Sequence, residues 1–307
     1  MATFRTLKEG ELDTWAAHCA GVFSGPTDTP DYFRNHFLLD PFKDQNAVFI
    51  AEEGGEIAST LRVFRREVFI AGQRVPMGGI GEVSTKAEHR KKGFSGALLR
   101  MAIEYMQREE LCTSLLFTGS HRHYARYGWF SVPTRSVALD NAAALPEGDV
   151  LRPLEPGDLP AVREMHLTYA AQFDGCLVRE HEDYWTDWMT FAWKVPHVVA
   201  RGGEIVAYID ANWFEDRGII APLDYAALPG GPAIEVCMGA LCEKMGWRGD
   251  LLRPCAIGKD QLGRFNENPG PMWRLNAPFT LNGATIDTAA KLMAALADTL
   301  FWRADGY

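Results

Sequence analysis

Residues 78–98, GGIGEVSTKAEHRKKGFSGAL, decide how this chain is read. An apolar, strand-like run gives way to the three consecutive cations Arg90, Lys91 and Lys92, then to Gly93, then to small residues that open a helix. A helix N-terminus offers unpaired backbone N–H groups and a partial positive charge of roughly half an electron. A glycine just ahead lets those N–H groups curl around a bulky anion, and small side chains stay out of its way. Gly93, Ser95 and Gly96 supply that room, and the cations add steering charge. The junction suits a pyrophosphate.

Two familiar phosphate motifs do not fit it. A P-loop requires Gly-Lys-Ser/Thr after its spacer, and this loop has Gly93-Phe94-Ser95. A dinucleotide-binding turn places G-x-G-x-x-G directly after the first strand of a βαβ unit, whereas these glycines follow a basic triplet in mid-domain. A solvated basic turn before a surface helix is the plain alternative, and the elements around the loop argue against it. Upstream, Ile57–Val68 and Glu67–Val75 read as antiparallel strands. Downstream, Phe94, Leu98, Met101, Ala102 and Tyr105 make one apolar helix face, with Arg100, Glu104, Gln107 and Arg108 on the other. TSLLFT (113–118) reads as a buried strand, and GSHRHYARYGW (119–129) as a turn or short helix.

The chain repeats itself. FRTLKEGELD (4–13) is echoed by LRPLEPGDLP (151–160), so that Arg5, Leu7, Gly10 and Leu12 correspond to Arg152, Leu154, Gly157 and Leu159. At nearly the same offset Gly54-Gly55-Glu56-Ile57 corresponds to Gly202-Gly203-Glu204-Ile205. Each copy reads as a strand, an amphipathic helix (Leu12, Trp15, Ala16, Cys19 in the first), and two strands joined by a Gly-Gly turn. The segment LDNAAALPEGDV (139–150) is the natural boundary, which divides the chain into residues 1–147 and 148–307. The expected class is a mixed α/β fold, duplicated. The second copy reaches its comparable helix, PAIEVCMGALCEKMG (232–246), with nothing cationic before it.

Bulk properties narrow the partners. With 47% hydrophobic and 23% charged residues among 307, the composition is that of a soluble globular protein, and the mean hydropathy is −0.15. No apolar run approaches the roughly 18 residues that cross a bilayer, and the polar start MATFRTLKEGELDTW has no signal-peptide core. A net charge of −9 argues against broad nucleic-acid binding and makes the basic cluster a local device aimed at a small anion. Cys19, Cys112, Cys176, Cys237, Cys242 and Cys255 form no C-x-x-C pair, so buried thiols in a reducing cytoplasm are expected, and no metal site.

Arg90-Lys91-Lys92-Gly93-Phe94-Ser95 resembles the hallmark of the GNAT acetyltransferases, Arg/Gln-x-x-Gly-x-Gly/Ala, at its first and fourth positions, with Ser95 small but not Gly or Ala at the sixth. The order of elements agrees over about residues 3 to 135. The resemblance implies a GNAT fold with splayed central strands. It implies that backbone N–H groups of Lys91, Lys92, Gly93, Phe94, Ser95 and Gly96 bind the pyrophosphate of acetyl-CoA, with Arg90 also among the cofactor-binding residues. Val83, Ser84 and Thr85 would hold the pantetheine and thioester, with Gly119 and Ser120 joining the cofactor contacts.

Tyr124-Ala-Arg126-Tyr127-Gly128-Trp129 is similar to the Eis branch of that family, in which a tyrosine before x-Arg-aromatic-Gly-aromatic is the general acid. A phenol with an ordinary pKa near 10 matches the basicity of a leaving thiolate, so Tyr124 is the expected acid and Tyr127 packing. Two bases are in play. The Eis resemblance implies the terminal carboxylate of Tyr307, with Phe301 and Trp302 anchoring the tail. Glu82, one residue before Val83, is the other, and strand alternation leaves open which way it faces. His121 and His123 are candidates to line the acceptor pocket. Asp28, Asp31, Asp40 and Asp44 among Tyr32, Phe33, Phe37 and Phe42 would welcome a cationic amine or form a packed helix with a polar outer face. Trp185, Trp188, Trp193 and Trp213 read as an aromatic core.

The resemblance therefore implies an acetyl-CoA-dependent N-acetyltransferase, with residues 1–147 catalytic and 148–307 a degenerate GNAT-like domain that walls the acceptor cleft. The acceptor would be a primary amine of a small molecule or peptide, attacked in a ternary complex without metal, nucleic acid or membrane. A homo-oligomer is left open. A CoA-binding sensor without turnover and a protein acetyltransferase are the competing readings.

Overall fold

The structure is a computed structural model that describes residues 2–25, 27–139, 144–255, 265–297 and 299–306. From the N-terminus, β1 (Thr3–Thr6) leads to α1 (Leu12–Phe23) and α2 (Pro30–Leu38), then to β2 (Val48–Glu53), β3 (Glu56–Ile70) and β4 (Gln73–Thr85). The Thr29 hydroxyl accepts from the Tyr32 amide and Pro30 takes the first helical position, which fixes where α2 begins. Gly54 and Gly55, both at positive φ, turn β2 into β3.

β3 and β4 are nearly continuous runs of buried residues. Both faces of their sheet are covered, so alternation cannot delimit them. This corrects the strands expected over 57–68 and 67–75. β3 runs unbroken to Ile70, turns at Ala71-Gly72 with φ +48° and +73°, and pairs antiparallel with β4 from Ser59↔Thr85 to Ile70↔Gln73.

Beyond β4 come α3 (Phe94–Arg108), β5 (Thr113–Leu116), α4 (His121–Ala125) and β6 (Phe130–Ser131). β5 runs parallel to β4 and pairs with it only from Met77↔Thr113 to Ile80↔Leu116. Past Ile80 the two strands separate, leaving the last residues of β4 open on that side. α3 covers one face of the sheet through Phe94, Leu98, Leu99 and Ala102. On the other face α1 and α2 pack through Trp15, Cys19, Phe33 and Phe37.

The second half repeats the plan with β7 (Thr134–Leu139), β8 (Asp149–Pro153), α5 (Leu159–Ala170), a π-helix (Tyr184–Met189) continued by α6 (Thr190–Ala192), β9 (His197–Arg201), β10 (Glu204–Phe214), β11 (Ile219–Ala227), α7 (Ile234–Met245), β12 (Asp250–Cys255), β13 (Phe265–Asn268) and β14 (Met272–Leu275). A hairpin of β15 (Phe279–Leu281) and β16 (Ala284–Ile286) and then α8 (Ala289–Ala295) close the described chain.

The strand orders are β1-β2-β3-β4-β5-β14-β6 in one sheet and β13-β7-β12-β11-β10-β9-β8 in the other. The copies have exchanged their last strands: β14 inserts between β5 and β6, and β7 inserts between β12 and β13. The boundary expected at 147/148 therefore does not divide the sheets, because β7 precedes it and β14 follows it. That pairing is decided at long range, which a composition shift in a linker cannot report. The shared core runs through Phe64, Val68, Met77 and Leu115 of the first half and Trp185, Trp188, Tyr208 and Trp273 of the second.

Among the described residues, no helix is long and apolar enough to cross a membrane. Cys19, Cys176, Cys237 and Cys242 are buried and Cys112 half-buried, none of the five in a disulfide among the described residues, and the side chain of Cys255 lies outside the described residues.

Trp273 is fully buried on the inserted strand β14. Trp273→Ala is expected to destabilise the whole protein by about 3–5 kcal/mol in urea unfolding, through a single transition if the exchanged strands tie both sheets together.

Candidate active site

The separation of β4 from β5 is the feature around which the candidate residues gather. Opposite Leu61 on β3 the register of β4 slips by one residue, and Glu82 occupies the bulge with φ +55°, a conformation that non-glycine residues rarely adopt. Strand alternation then sorts the neighbours. Val83 packs toward α3, while Ser84 faces α1, where its Oγ lies 3.1 Å from His18 Nε2. Glu82 turns to the same side as Ser84, toward α2.

There its carboxylate is buried, 6% exposed. Oε1 accepts from His36 Nδ1 at 2.7 Å and lies 3.8 Å from an Arg62 nitrogen. Arg62 also donates to the His36 carbonyl at 3.0 Å and to Asp40 Oδ2 at 2.7 Å. Arg66 donates to Asp40 Oδ1 at 2.9 Å. Burial by itself would push the Asp40 carboxyl up; Arg66 and Arg62 outweigh it and hold the carboxyl below the usual range. Two guanidinium groups thus balance two carboxylates inside the protein. Glu82 Oε2 is buried and has no hydrogen-bond partner among the described residues. Tyr32 stacks on His36, ring centroids 5.4 Å apart, and its phenol is pushed up to about 12 by burial, with Glu82 and Asp28 adding.

On the far side of the gap stands Tyr124, on α4. It is 8% exposed, packed edge-on to Trp129, and burial pushes its phenol up to about 12 despite a hydrogen bond with Thr118. It therefore keeps its proton at neutral pH. Next to it, His123 Nε2 lies 3.0 Å from Ser95 Oγ, which ties α4 to the first turn of α3. Burial, then Arg126, push the His123 imidazole down.

The loop before α3 has the expected form but a different division of labour. Gly93 caps the helix at φ +84°, a Cβ there would meet open space, and no side chain caps the helix end. The residues present thus leave the first amides of α3 uncovered, as a bound phosphate requires. Lys91 is exposed, with φ +66°. Lys92 is bound to Glu53, which also accepts from His89 at 2.8 Å, so its charge is shared with the β2–β3 hairpin. Arg90 donates to the Thr85 carbonyl at 3.3 Å, and Ser59 Oγ donates to the Ser84 carbonyl at 2.8 Å, so two of the three backbone acceptors expected for a pantetheine already hold donors. Gly96 faces inward rather than toward an anion: a Cβ there would lie 2.1 Å from the Tyr127 hydroxyl. Gly119 is exposed, and Ser120, just before α4, donates its amide to Thr118 Oγ1 at 2.9 Å.

Other expectations divide. Asp40, read either as an acid for a cationic amine or as part of a helix's polar outer face, is fully buried on its two arginines, and Asp44 accepts from Tyr105 at 3.0 Å. Tyr307 lies outside the described residues; upstream of it Phe301 packs on Phe117, just past the end of β5, at 4.7 Å. His36, Arg62 and Arg66 were not singled out from the sequence, and the only signal for them was that charged residues sit within otherwise apolar segments.

The second sheet carries the same device in closed form. At the bulge between β10 and β11, Asp224 accepts from Arg179 at 2.6 Å, Trp193 Nε1 at 3.0 Å, Tyr208 at 3.2 Å and the Tyr225 amide at 3.1 Å. Both its oxygens are occupied. The Tyr225 hydroxyl donates to the Pro232 carbonyl at 2.7 Å, just ahead of α7.

Residues 3–131 match the family model for an acetyltransferase (GNAT) domain. No curated protein matches the chain in sequence. Among solved structures, the chain is similar to a GCN5-related N-acetyltransferase from Anabaena variabilis, 16% identical, over 90% of this chain and 73% of that one, with TM-score 0.70. It is similar to a probable N-acyltransferase from Enterococcus faecalis with the same identity and coverage and TM-score 0.71. It is also similar to Eis1 from Mycobacterium abscessus, 14% identical over 90% and 74% of the two chains, with TM-score 0.61. At these identities the likeness is one of fold, and it extends across both halves.

The Gly96 contact can be tested directly. Gly96→Ala should cost about 1–3 kcal/mol by overpacking. Adding Tyr127→Phe, which leaves a ring carbon 3.2 Å away as the nearest atom, should recover most of that loss in thermal unfolding.

Proposed function

We propose, on the premise that residues 3–131 are an acetyltransferase domain of the GNAT family, that this chain is an acetyl-CoA-dependent N-acetyltransferase. Its acceptor is a primary amine of a small molecule or peptide, which attacks directly in a ternary complex. The reading is carried by one observation: Glu82, on the stretch of β4 past its pairing with β5, has a buried Oε2 with no partner among the described residues.

When bound, acetyl-CoA supplies the activated acetyl thioester. The amides from Lys91 to Gly96 at the start of α3 would hold its pyrophosphate, with Arg90 and Lys91 adding charge, and the open edge of β4 near Val83 would seat the pantetheine. Glu82 Oε2 takes a proton from the arriving ammonium, which cannot attack while protonated. Its partners His36 and Arg62 engage Oε1 and leave Oε2 to the amine. Tyr124 holds a proton for the departing sulfur, and its raised pKa keeps that proton in place at neutral pH. The amine loses a second proton as the amide forms, and that proton restores the Tyr124 hydroxyl by way of solvent.

We assign catalysis to residues 1–147 and a degenerate role to 148–307. Tyr225 and Pro232 close on one another ahead of α7, and no basic triplet precedes that helix. Both features disfavour a second acetyl-CoA site.

Incubation with acetyl-CoA and a panel of amines should release free CoA thiol. Glu82→Gln and Tyr124→Phe should each lower kcat by about 10²- to 10⁴-fold with acetyl-CoA affinity unchanged in calorimetry. Binding of acetyl-CoA without thiol release from any amine would favour the sensor reading instead. Gly93→Asp puts bulk and negative charge where phosphates would sit and should abolish acetyl-CoA binding; unchanged affinity would refute the loop assignment.

A further inference from the structure

The side chain that holds the Glu82 arrangement in place comes from the other half of the chain. His36 is held among rings: Trp188 at 4.6 Å and 33° between planes, Tyr32 at 5.4 Å and 16°, with Phe64 at 5.3 Å and Phe191 at 6.0 Å. Trp188 sits on the π-helix of the second half, which occupies the place that α2 holds in the first. Its indole is 1% exposed and also lies beneath Arg66, whose guanidinium carbon is 5.1 Å from the ring.

Both routes that define Glu82 Oε1 therefore begin at Trp188. One runs through the His36 imidazole, bonded to Oε1 at 2.7 Å. The other runs through Arg66, Asp40 and Arg62, ending 3.8 Å from the same oxygen. A π-helix, with its wider turn, is a local irregularity that recurs at functional sites. Here it presents Tyr184, Trp188 and, through α6, Phe191 to the first half: Tyr184 and Trp188 face Arg66, while Phe191 lies against Tyr32 at 5.4 Å. The Trp188 indole N–H is itself buried with no partner among the described residues, so the contacts described for the residue are those of its ring faces.

We propose that Trp188 is a positioning residue: by clamping His36 and Arg66 it fixes the orientation of the Glu82 carboxylate, so that the second half sets the aim of the base it does not itself contain. The proposal rests on the reading of Glu82 as the proton acceptor. A ring set against His36, and against Arg66 behind Asp40 and Arg62, limits how the two Oε1 partners can move and so holds the carboxylate in one orientation. Without the ring, His36 loses the shortest of its ring contacts, and the left-handed backbone at Glu82 loses part of what sustains it.

The test is a double-mutant cycle on the full chain with Trp188→Leu, Glu82→Gln and the pair, alongside Trp188→Phe. Trp188→Leu should lower kcat about 10-fold or more while acetyl-CoA affinity stays within about 2-fold. Added to Glu82→Gln it should change kcat by less than about 2-fold, because residues acting through one another are not additive. Trp188→Phe, which keeps an aromatic face, should retain most of the activity. In a ¹⁵N-labelled sample, the His36 ring nitrogen signals should move in Trp188→Leu and stay near their original positions in Trp188→Phe. Additive losses, a parallel fall in acetyl-CoA affinity, or unmoved His36 signals in Trp188→Leu would overturn the proposal. If Glu82→Gln leaves kcat intact, the reading of Glu82 as base fails, and the His36 signals alone then decide whether Trp188 governs the pair.

Discussion

A parallel strand pair that stops pairing governs the rest of this structure. β4 and β5 share four registers and then diverge, which opens a gap in the middle of a sheet whose surroundings are otherwise packed. Backbone groups along such a gap need partners, and side chains beside it lose their solvent without gaining neighbours. Three responses are visible. The Ser84 and Thr85 carbonyls receive donors from Ser59 and Arg90. The carboxylate of Glu82 is balanced by a buried guanidinium network. α3 begins with an uncapped end beyond the strand's last residues. Each follows from the divergence, and together they place charge, acidity and open amides within one region of the first half.

Comparison of the two copies shows how little separates an open site from a closed one. Glu82 and Asp224 both lie at irregularities on the fourth strand of their copy, buried and met by arginine. Asp224 has every oxygen engaged, by Arg179, Trp193, Tyr208 and a backbone amide. Such a carboxylate stabilises the interior and has no capacity left for a ligand. Glu82 keeps one oxygen without a partner, at a cost of the order of 1–3 kcal/mol for an unmet buried group. Duplicated scaffolds can thus diverge through a few partner side chains while the strands beneath them stay alike.

What the sequence disclosed and what it hid follow from distance along the chain. The loop from Arg90 to Gly96 was legible because helix start, glycine and charge are neighbours, and the repeat was legible because Gly54-Gly55 and Gly202-Gly203 make the same local turn. Tyr124 was singled out through its local motif alone, which said nothing of its packing against Trp129. By contrast, His36 meets Glu82 across forty-six positions, and nothing near His36 advertises that. Asp40 looked like a surface acid because its segment is mixed in character; its partners Arg62 and Arg66 sit on a strand whose burial the surrounding residues do not announce. Lys92 looked free to steer an anion, yet Glu53 in the preceding hairpin claims it. Trp188 was rightly read as core, while its reach into the other copy depends on how the two halves pack.

The insertion of β14 between β5 and β6 has a bearing on how the molecule is made. During synthesis the first half emerges from the ribosome with its sheet unfinished, since residues 272–275 that complete it are translated long after β5 and β6. Long-range pairing of this kind closes large loops and slows folding. A nascent chain that stops short of β14 therefore exposes raw sheet edges that chaperones and proteases can engage, and β5 gains its second neighbour only once β14 has been made.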